Sequence, residues 1–444
     1  MSSTSKVIYW SIVVSLGGFL FGFDTAVISG AEQRIQQVWG LSDVLIGQIV
    51  AVGLYGTVVG ALGAGKIADI LGRKKLLIWI AFLYLVSAVG SAMAPEVVSL
   101  MIFRFVGGLG VGASSVVAPM YISEISPALL RGRLTALFQF NLVVGILAAY
   151  FSNYWIGDMG EQTWRIMLGV EVLPAVVFST LIFTVPRSPR WLITKAGKDD
   201  EALQVLKRID PAQAEATFEA IKSSDTIKEA VGLKVFFSGA YRWPLILAFL
   251  IAFFNQVSGI NAVIYYSPRI FKLAGMADSS SMLSSVGIGV INLVFTIVGM
   301  MLIDRLGRRF LMYVGSVGYI VSLSIVSYAF FYEAFDGYMV PIWLFVFIAS
   351  HAVGQGAVIW VFISEVFPNE VRGLGQSWGC GTHWVLAAVI AATFPMLSSW
   401  LGGGLVFLVF AMMMVLQLLF VWKWMPETKG KSLEEIEQIM LQKA

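Results

Sequence analysis

The sequence has little of what soluble proteins use to build surfaces and catalytic centres. Of its 444 residues, one is cysteine, two are histidine and only 13% are charged. The single cysteine, Cys380, excludes an intrachain disulfide. No His, Cys or carboxylate cluster has metal-ligand spacing, and no phosphate-binding loop or nucleophile elbow occurs, so we expect no metal, no cofactor and no enzyme activity. Lys/Arg-rich runs are also missing, and a formal net charge of +3 predicts no nucleic-acid partner.

Apolar residues, by contrast, make up 58% of the chain, and the mean hydropathy is +0.82. A soluble domain could not sustain this composition, so we expect a lipid bilayer around the protein. The first apolar stretch is too long for a signal peptide and has no cleavage site, which predicts a retained helix. Segments of about 20 apolar residues can span a membrane. Twelve are predicted near 7–30, 44–65, 76–94, 97–122, 134–155, 165–185, 243–268, 283–303, 310–331, 340–364, 375–397 and 402–424.

The positions of Lys and Arg predict the orientation. With the N-terminus inside, 25 of the 30 basic residues fall in cytoplasmic segments. Only Arg34, Arg165, Arg269 and Lys272 lie outside, and Arg104 lies within the fourth helix. We therefore expect a multi-pass protein of the cell membrane with both termini in the cytoplasm.

One long polar segment, 186–242, divides the predicted helices six and six. Its apolar residues Ala202, Leu203, Val205, Leu206 and Ile209 recur at helical spacing, which predicts short amphipathic helices, with a regulatory domain as the alternative. The predicted domains are an N-terminal six-helix bundle at 1–185, this cytoplasmic linker, a C-terminal six-helix bundle at 243–424 and a cytoplasmic tail at 425–444.

Three motifs occur twice, in the same order and six helices apart. Such duplication is typical of transporters whose two halves face each other across a site at the membrane midplane. We therefore predict an all-α membrane protein with twelve transmembrane helices in two pseudo-symmetric six-helix bundles. The motif pairs are DILGRK at 69–74 with DRLGRR at 304–309, SEISPALLRG at 123–132 with SEVFPNEVRG at 364–373, and PRSP at 186–189 with PETK at 426–429.

Further motifs make a family resemblance specific: RFVGGLGVG at 104–112, PMYISEI at 119–125, PRSPRWL at 186–192 and QVSGINAVIYYS at 256–267. Together with the repeats they resemble the sugar porter family of the major facilitator superfamily, over nearly the whole chain, and bacterial sugar–proton symporters within it. The resemblance implies a monomer that imports a monosaccharide, a hexose or a pentose, together with a proton by alternating access. The alternatives are a sugar uniporter of the same fold and a sugar-sensing receptor.

The seventh predicted helix interrupts its apolar pattern with amides. Uncompensated amides are costly in lipid, so these should line a wet cavity, and amides suit sugar hydroxyls because they both donate and accept hydrogen bonds. Gln256 and Asn261 would lie about 140° apart on a regular helix, so we predict that the helix loosens at Ser258 and Gly259. By resemblance, and because tryptophan faces suit a pyranose, the predicted substrate residues are Gln139, Gln256, Asn261, Asn292, Trp360, His383 and Trp384, with Tyr265 and Tyr266 at an outer gate.

Three charged residues lie within apolar helices. A carboxylate at membrane depth is expensive, so Asp24 is a functional candidate, with Arg104 as its expected partner and Glu171 as a third buried charge. In proton-coupled members of the sugar porter family, which this chain resembles, an aspartate stands at the position of Asp24. We predict that protonation of Asp24 releases Arg104 during transport; the alternative is a static ion pair in a uniporter.

Charged residues at the cytoplasmic helix ends form a predicted latch. We expect Glu124 to pair with Arg131 or Arg190, and Glu365 to pair with Arg372 or Arg308; alternatively these residues only fix topology. The predicted latch residues are Glu124, Arg131, Arg190, Asp304, Arg308, Glu365 and Arg372.

The chain departs from the resembling family at three positions. Arg187 stands where a glutamate is usual, Asn255 replaces the first of two glutamines, and the segment GAVIW at 356–360, which includes Ala357, lacks the prolines that are common before this tryptophan.

Overall fold

The structure, a computed structural model, describes residues 3–127, 130–224, 233–237, 239–335, 337–368, 370–431, 435–436, 438 and 440. Eleven helices in this part of the chain are long and apolar enough to cross a membrane. By contacts the chain forms two compact units: the first comprises Met1–Ala31, Val52–Ser152 and Asp158–Glu229, and the second Glu32–Ala51, Asn153–Gly157 and Ala230–Ala444. These units group residues by proximity, so the domain limits given above stay a prediction.

The described residues of the first half form the helices α1 to α7. They are α1 (Ser3–Trp39), α2 (Asp43–Leu71), α3 (Arg73–Met93), α4 (Val97–Ile125), α5 (Arg131–Ile156), α6 (Thr163–Gly169) and α7 (Val172–Leu181), and α7 continues into a 3-10 turn at Ile182–Thr184.

In the described residues of the linker and the second half, the structure has the helices α8 to α18 and one π-helical segment. The linker has α8 (Pro189–Thr194), α9 (Asp199–Ile209), α10 (Ala214–Ser224) and α11 (Leu233–Phe236). After a 3-10 turn at Gly239–Tyr241, the second half has α12 (Arg242–Val257), α13 (Ile260–Leu273), α14 (Asp278–Leu306), α15 (Arg308–Phe331), α16 (Met339–His351), the π-helical segment Ala352–Gly356, α17 (Ala357–Val366) and α18 (Arg372–Lys423).

Glycines set the close packing of the first unit. A Cβ atom on Gly22 of α1 would lie 1.8 Å from the carbonyl oxygen of Leu142 on α5, and one on Gly108 of α4 would lie 1.9 Å from the carbonyl oxygen of Gly53 on α2. Helices in lipid gain little from apolar burial against each other, so small residues that allow backbone approach stabilise them through van der Waals contact. The helices that carry the buried charges are therefore closely packed.

The sixth predicted span, 165–185, is interrupted where α6 ends and α7 begins. Val170 and Glu171 lie between the two helices. Pro174 has no N–H to donate to the carbonyl group of Val170, which instead accepts from Leu173 at 3.1 Å. The predicted sixth span is present as Thr163–Thr184, and Glu171 lies at this local irregularity within it.

The seventh predicted span breaks where its amide spacing predicted. Helix α12 ends at Val257 and α13 begins at Ile260, and Gly259 between them has a φ of 84°. This left-handed conformation is readily available only to glycine. The predicted loosening at Ser258 and Gly259 is confirmed.

The tenth and last spans also depart from regular helix. The π-helical segment separates α16 from α17, without a proline in it. Helix α18 is 52 residues long but kinks at Gly402, whose φ is 75°. The kink divides α18 into two parts that correspond to the predicted segments 375–397 and 402–424, so eleven long helices make twelve spans.

The short helices predicted for the linker are present. In α9, Ala202, Val205, Leu206 and Ile209 are buried, while Leu203 is half-buried. The acidic residues of α9 lie in its first turn and the basic ones in its last, which stabilises the helix through its dipole.

Candidate functional site

The first unit contains a cluster of buried charges. Nη1 of Arg104 on α4 lies 3.5 Å from Oδ1 of Asp24 on α1, and the side chains are only 3% and 9% exposed. Glu171, between α6 and α7, is buried and interacts electrostatically with both of them. The three residues that the sequence singled out for membrane depth are therefore close together.

The charges of this cluster do not balance when all three groups are ionised. One guanidinium faces two carboxyl groups, so the set is neutral when one carboxyl group holds a proton. Among the described residues, Nε of Arg104 and Oε1 of Glu171 have no hydrogen-bond partner. Unpaired buried polar atoms are costly, and each of these two atoms can still form a hydrogen bond. A rearrangement that pairs them is therefore favourable.

A buried tyrosine, a serine and a glycine lie around Asp24. Tyr84 on α3 is buried, donates a hydrogen bond from its hydroxyl to the carbonyl oxygen of Gly17 at 3.3 Å, and interacts electrostatically with Asp24. A Cβ atom on Gly107 would lie 2.3 Å from Oγ of Ser87 and 3.9 Å from Oδ1 of Asp24. The glycine thus leaves room beside the carboxyl group.

The second unit holds a cluster of amides at the break between α12 and α13. Nδ2 of Asn261 donates to Oε1 of Gln256 at 2.7 Å, across the break. Nε2 of Gln256 donates to Oδ1 of Asn255 at 2.9 Å and lies 3.1 Å from Nδ1 of His383 on α18. The break therefore brings together two amides that a regular helix would point apart.

Aromatic rings adjoin the amides. The His383 ring lies 4.8 Å from the ring of Trp360 on α17 and 4.7 Å from that of Trp384, between ring centroids. Four predicted substrate residues, Gln256, His383, Trp360 and Trp384, are thus joined by direct contacts, and Asn261 joins them through Gln256. Amides, an imidazole and indole faces can bind both the hydroxyl groups and the apolar face of a sugar ring.

The amide cluster continues into a buried chain that sequence reasoning missed. Nδ2 of Asn255 donates to Oε1 of Gln355 at 3.4 Å, Gln355 donates to Gln417 at 2.8 Å, and Gln417 donates to Oγ of Ser316 at 2.8 Å. Gln355 belongs to the π-helical segment, and both glutamines are completely buried. The only available signal was the presence of glutamines within apolar helices.

The remaining predicted substrate and gate residues lie on α5, α13 and α14. Asn292 on α14 accepts a hydrogen bond from Thr296 at 3.4 Å, and Gln139 is half-buried on α5. Tyr265 is buried, and Tyr266 donates to the carbonyl oxygen of Ala391 at 2.7 Å. The structure thus fixes Tyr266 against α18, and its role as a gate stays a prediction.

Replacing Gly259 tests whether the break is required. A Cβ atom there would lie 2.5 Å from the Phe410 ring, and the φ of 84° disfavours any other residue. We expect Gly259→Ala to lower the free energy of unfolding by about 1–3 kcal/mol and to weaken sugar binding. Thermal unfolding and binding titration of the purified protein measure both effects.

Gly65→Ala is the matched control for this substitution, because a Cβ atom on Gly65 in α2 meets no atom within 4 Å. It should leave stability and binding unchanged. If Gly259→Ala behaved like Gly65→Ala, the break would not need a glycine.

Two equivalent ion-pair clusters lie at the starts of α3 and α15. In the first unit, Arg73 pairs with Asp69 at 2.9 Å and with Glu124 at 3.0 Å, and Glu124 accepts from Ser188. In the second unit, the pattern recurs: Arg308 pairs with Asp304 at 3.1 Å and with Glu365 at 2.9 Å, and Glu365 accepts from Thr428. The duplicated motifs therefore form duplicated structures.

The pairing expected for Glu124 was wrong. Its partner is Arg73, whereas Arg131 donates to the carbonyl oxygen of Ser123 at 3.2 Å and Arg190 is exposed. Of the two partners expected for Glu365, the structure gives Arg308, while Arg372 donates to the carbonyl oxygen of Phe367 at 3.4 Å. The arginine of the preceding motif is nearer in both units because helix packing, not sequence distance, sets the contact.

A further buried pair in the second unit was also missed. Arg269 on α13 donates from Nε to Oε1 of Glu32 at 2.9 Å, and the Glu32 side chain is fully buried. Arg269 also donates to Gln36 and lies 3.5 Å from Asp43. In the sequence Arg269 stands only among the outside charges, because no pattern connects residues so far apart.

A chain of twelve apolar spans with buried charges and amides belongs to the class of membrane transporters. The family model "Sugar (and other) transporter" matches residues 10–440. The chain is therefore a member of the sugar (and other) transporter family. It has the major facilitator fold, an all-α membrane fold of twelve transmembrane helices in two pseudo-symmetric six-helix bundles.

Relatives of known name match along nearly their whole length. The chain is 36% identical to the arabinose-proton symporter of Bacillus subtilis, over 99% of this chain and 96% of that protein. It is 34% identical to the D-xylose-proton symporter of Escherichia coli, over 98% of this chain and 96% of that protein. A solved structure of the E. coli xylose transporter XylE superposes with a TM-score of 0.87 at 33% identity, covering 98% of this chain and 99% of that one.

Proposed function

We propose that the protein imports a monosaccharide, a hexose or a pentose, coupled to a proton by alternating access. The observation that carries this proposal is the buried cluster of Asp24, Arg104 and Glu171, which is neutral only when it holds one proton. Relatives named as arabinose–proton and xylose–proton symporters support it.

The sugar binds at the amide cluster. Gln256 and Asn261 supply donors and acceptors for ring hydroxyls, and His383 lies within hydrogen-bond distance of Gln256. Trp360 and Trp384 pack against the apolar face of the ring. Gln139 and Asn292 complete the predicted substrate residues. Before sugar binds, the amides satisfy one another, so each hydroxyl group replaces an existing hydrogen bond rather than filling an unpaired one.

The proton binds at the buried charge cluster. When Asp24 is ionised it pairs with Arg104, and when Asp24 is protonated Arg104 is free to turn toward Glu171. Glu171 has an oxygen without a hydrogen-bond partner among the described residues, so it can accept that interaction. Exchange of Arg104 between the two carboxyl groups links protonation to the conformational change.

The proposal extends to the location of the protein and its oligomeric state. We propose that the protein functions as a monomer in the cell membrane, with both termini in the cytoplasm, and catalyses no chemical reaction. The ion-pair clusters around Glu124 and Glu365 break and re-form at the cytoplasmic ends of the helices during the cycle.

Proteoliposomes containing the purified protein test the proposal. Adding arabinose, xylose, glucose or galactose outside should raise the external pH when the protein carries that sugar, because each sugar molecule enters with a proton. Counterflow of labelled sugar should occur for the same sugars. Counterflow without a pH change would indicate the uniporter instead, and binding with neither would indicate a sugar sensor.

A further inference from the structure

The start of α3, the PRSP segment and α9 form a basic cavity in the first unit. Its volume is about 390 Å³, and its lining includes Lys74 of α3, Arg187, and Glu201, Gln204 and Arg208 of α9. Three cationic side chains face one anionic side chain, so the lining carries an excess of two positive charges.

Within the described ranges, Lys74 and Arg187 each use one hydrogen-bond donor on a protein partner. The Lys74 ammonium group donates to the carbonyl oxygen of Phe183 at 2.9 Å, one of three donors that it has. Arg187 donates from Nη1 to Glu201 at 3.3 Å, one of its five. Lys74 and Arg187 also repel each other electrostatically. A lining of this kind favours an anion.

The internal repeat shows what the first unit lacks. In the second unit, Glu427 accepts hydrogen bonds from the backbone N–H groups of Arg308 at 3.0 Å and Arg309 at 2.9 Å. Its carboxylate thus caps the first turn of α15, where it also interacts favourably with the helix dipole. Glu427 is the second residue of the PETK motif.

Arg187 is the second residue of the equivalent PRSP motif in the first unit. The neighbouring residues keep their equivalent contacts, because Ser188 bonds to Glu124 as Thr428 bonds to Glu365. Arg187 therefore puts a positive charge where the second unit has the carboxylate of Glu427. The neighbouring hydrogen bond of the motif is the same in both units.

We propose that this cavity binds a phosphate group, held by Lys74, Arg187 and Arg208. Guanidinium groups bind phosphate oxygens in a bidentate manner, and an ammonium group adds a compact charge. The ligand is either the headgroup of an anionic phospholipid or a soluble phosphate. This site would bind a second ligand at a place separate from the proposed sugar and proton sites.

Binding measurements on the full-length protein in detergent test this site. The probes are short-chain phosphatidylglycerol and inorganic phosphate, and the readout is the thermal unfolding temperature as each probe is titrated. Short-chain phosphatidylcholine, whose headgroup has no net charge, is the blank. We expect a saturable rise with one of the two anions, which identifies the source of the phosphate.

Arg187→Gln and Arg208→Gln should each weaken that binding at least about tenfold, since each removes a charge-assisted hydrogen bond. Lys195→Gln removes the same charge from an exposed neighbouring position and should leave binding unchanged. The proposed site is contradicted if neither anion gives a saturable rise of the unfolding temperature in the wild type. It is also contradicted if both cavity variants bind as tightly as Lys195→Gln. The readout needs no transport, so this result is separate from that of the proposed symport.

Discussion

Asp24→Asn is expected to abolish uphill sugar accumulation while sugar exchange across the membrane survives. The asparagine cannot ionise, so it mimics the protonated carboxyl group and never re-forms the ion pair with Arg104. One proton moving through 100 mV supplies about 2.3 kcal/mol, which can sustain about a 50-fold sugar gradient. We expect the variant to lose this whole gradient. The measurement is accumulation of labelled sugar in proteoliposomes under an imposed potential, alongside counterflow.

Two further variants sharpen this prediction. Asp200→Asn changes an exposed carboxylate in the linker and should accumulate sugar as the wild type does. Glu171→Gln should also reduce accumulation, because Arg104 then has no second carboxylate to which it can turn. Full accumulation by Asp24→Asn would show that the buried pair is a static structural feature.

Gln256→Ala is expected to weaken sugar binding by about 100-fold. Gln256 contacts Asn255, Asn261 and His383, so its loss removes both its own bonds to the sugar and the positioning of its neighbours. Two lost hydrogen bonds of about 1.4 kcal/mol each correspond to that factor. Equilibrium binding of the transported sugar to the purified protein measures it.

Gln376→Ala is the matched control for Gln256→Ala, because Gln376 is an exposed glutamine near the start of α18. It should bind sugar with wild-type affinity. Unchanged affinity in Gln256→Ala would show that the sugar does not bind at the break between α12 and α13, whatever the outcome for proton coupling.

Features that depend on local sequence could be predicted. The twelve spans follow from apolar runs of membrane length. The break at Gly259 follows from two amides whose spacing would otherwise point them apart on a helix. The proximity of Asp24 and Arg104 follows from the cost of leaving a charge unpaired in lipid. In each case the physical requirement can be read from the residue and its own segment, without knowing which helices pack together.

Features that depend on packing could not be predicted. Glu124 bonds to Arg73 rather than to a residue nearer in sequence, since the start of α3 meets the end of α4. The pairing of Glu32 with Arg269 joins residues 237 positions apart, and no pattern links them. The chain from Asn255 through Gln355 and Gln417 to Ser316 requires knowing which helices adjoin. The interruption at Glu171 follows from Pro174, whose effect on a membrane helix depends on its neighbours.

The most direct test of proton-coupled sugar import is the dependence of sugar accumulation on the proton driving force. Proteoliposomes containing the wild-type protein are held at a series of imposed potentials and pH differences, and the ratio of internal to external sugar is measured at steady state. One proton per sugar predicts that the ratio rises about 50-fold for each 100 mV of total driving force. A ratio that stays at one across the whole series would contradict the account.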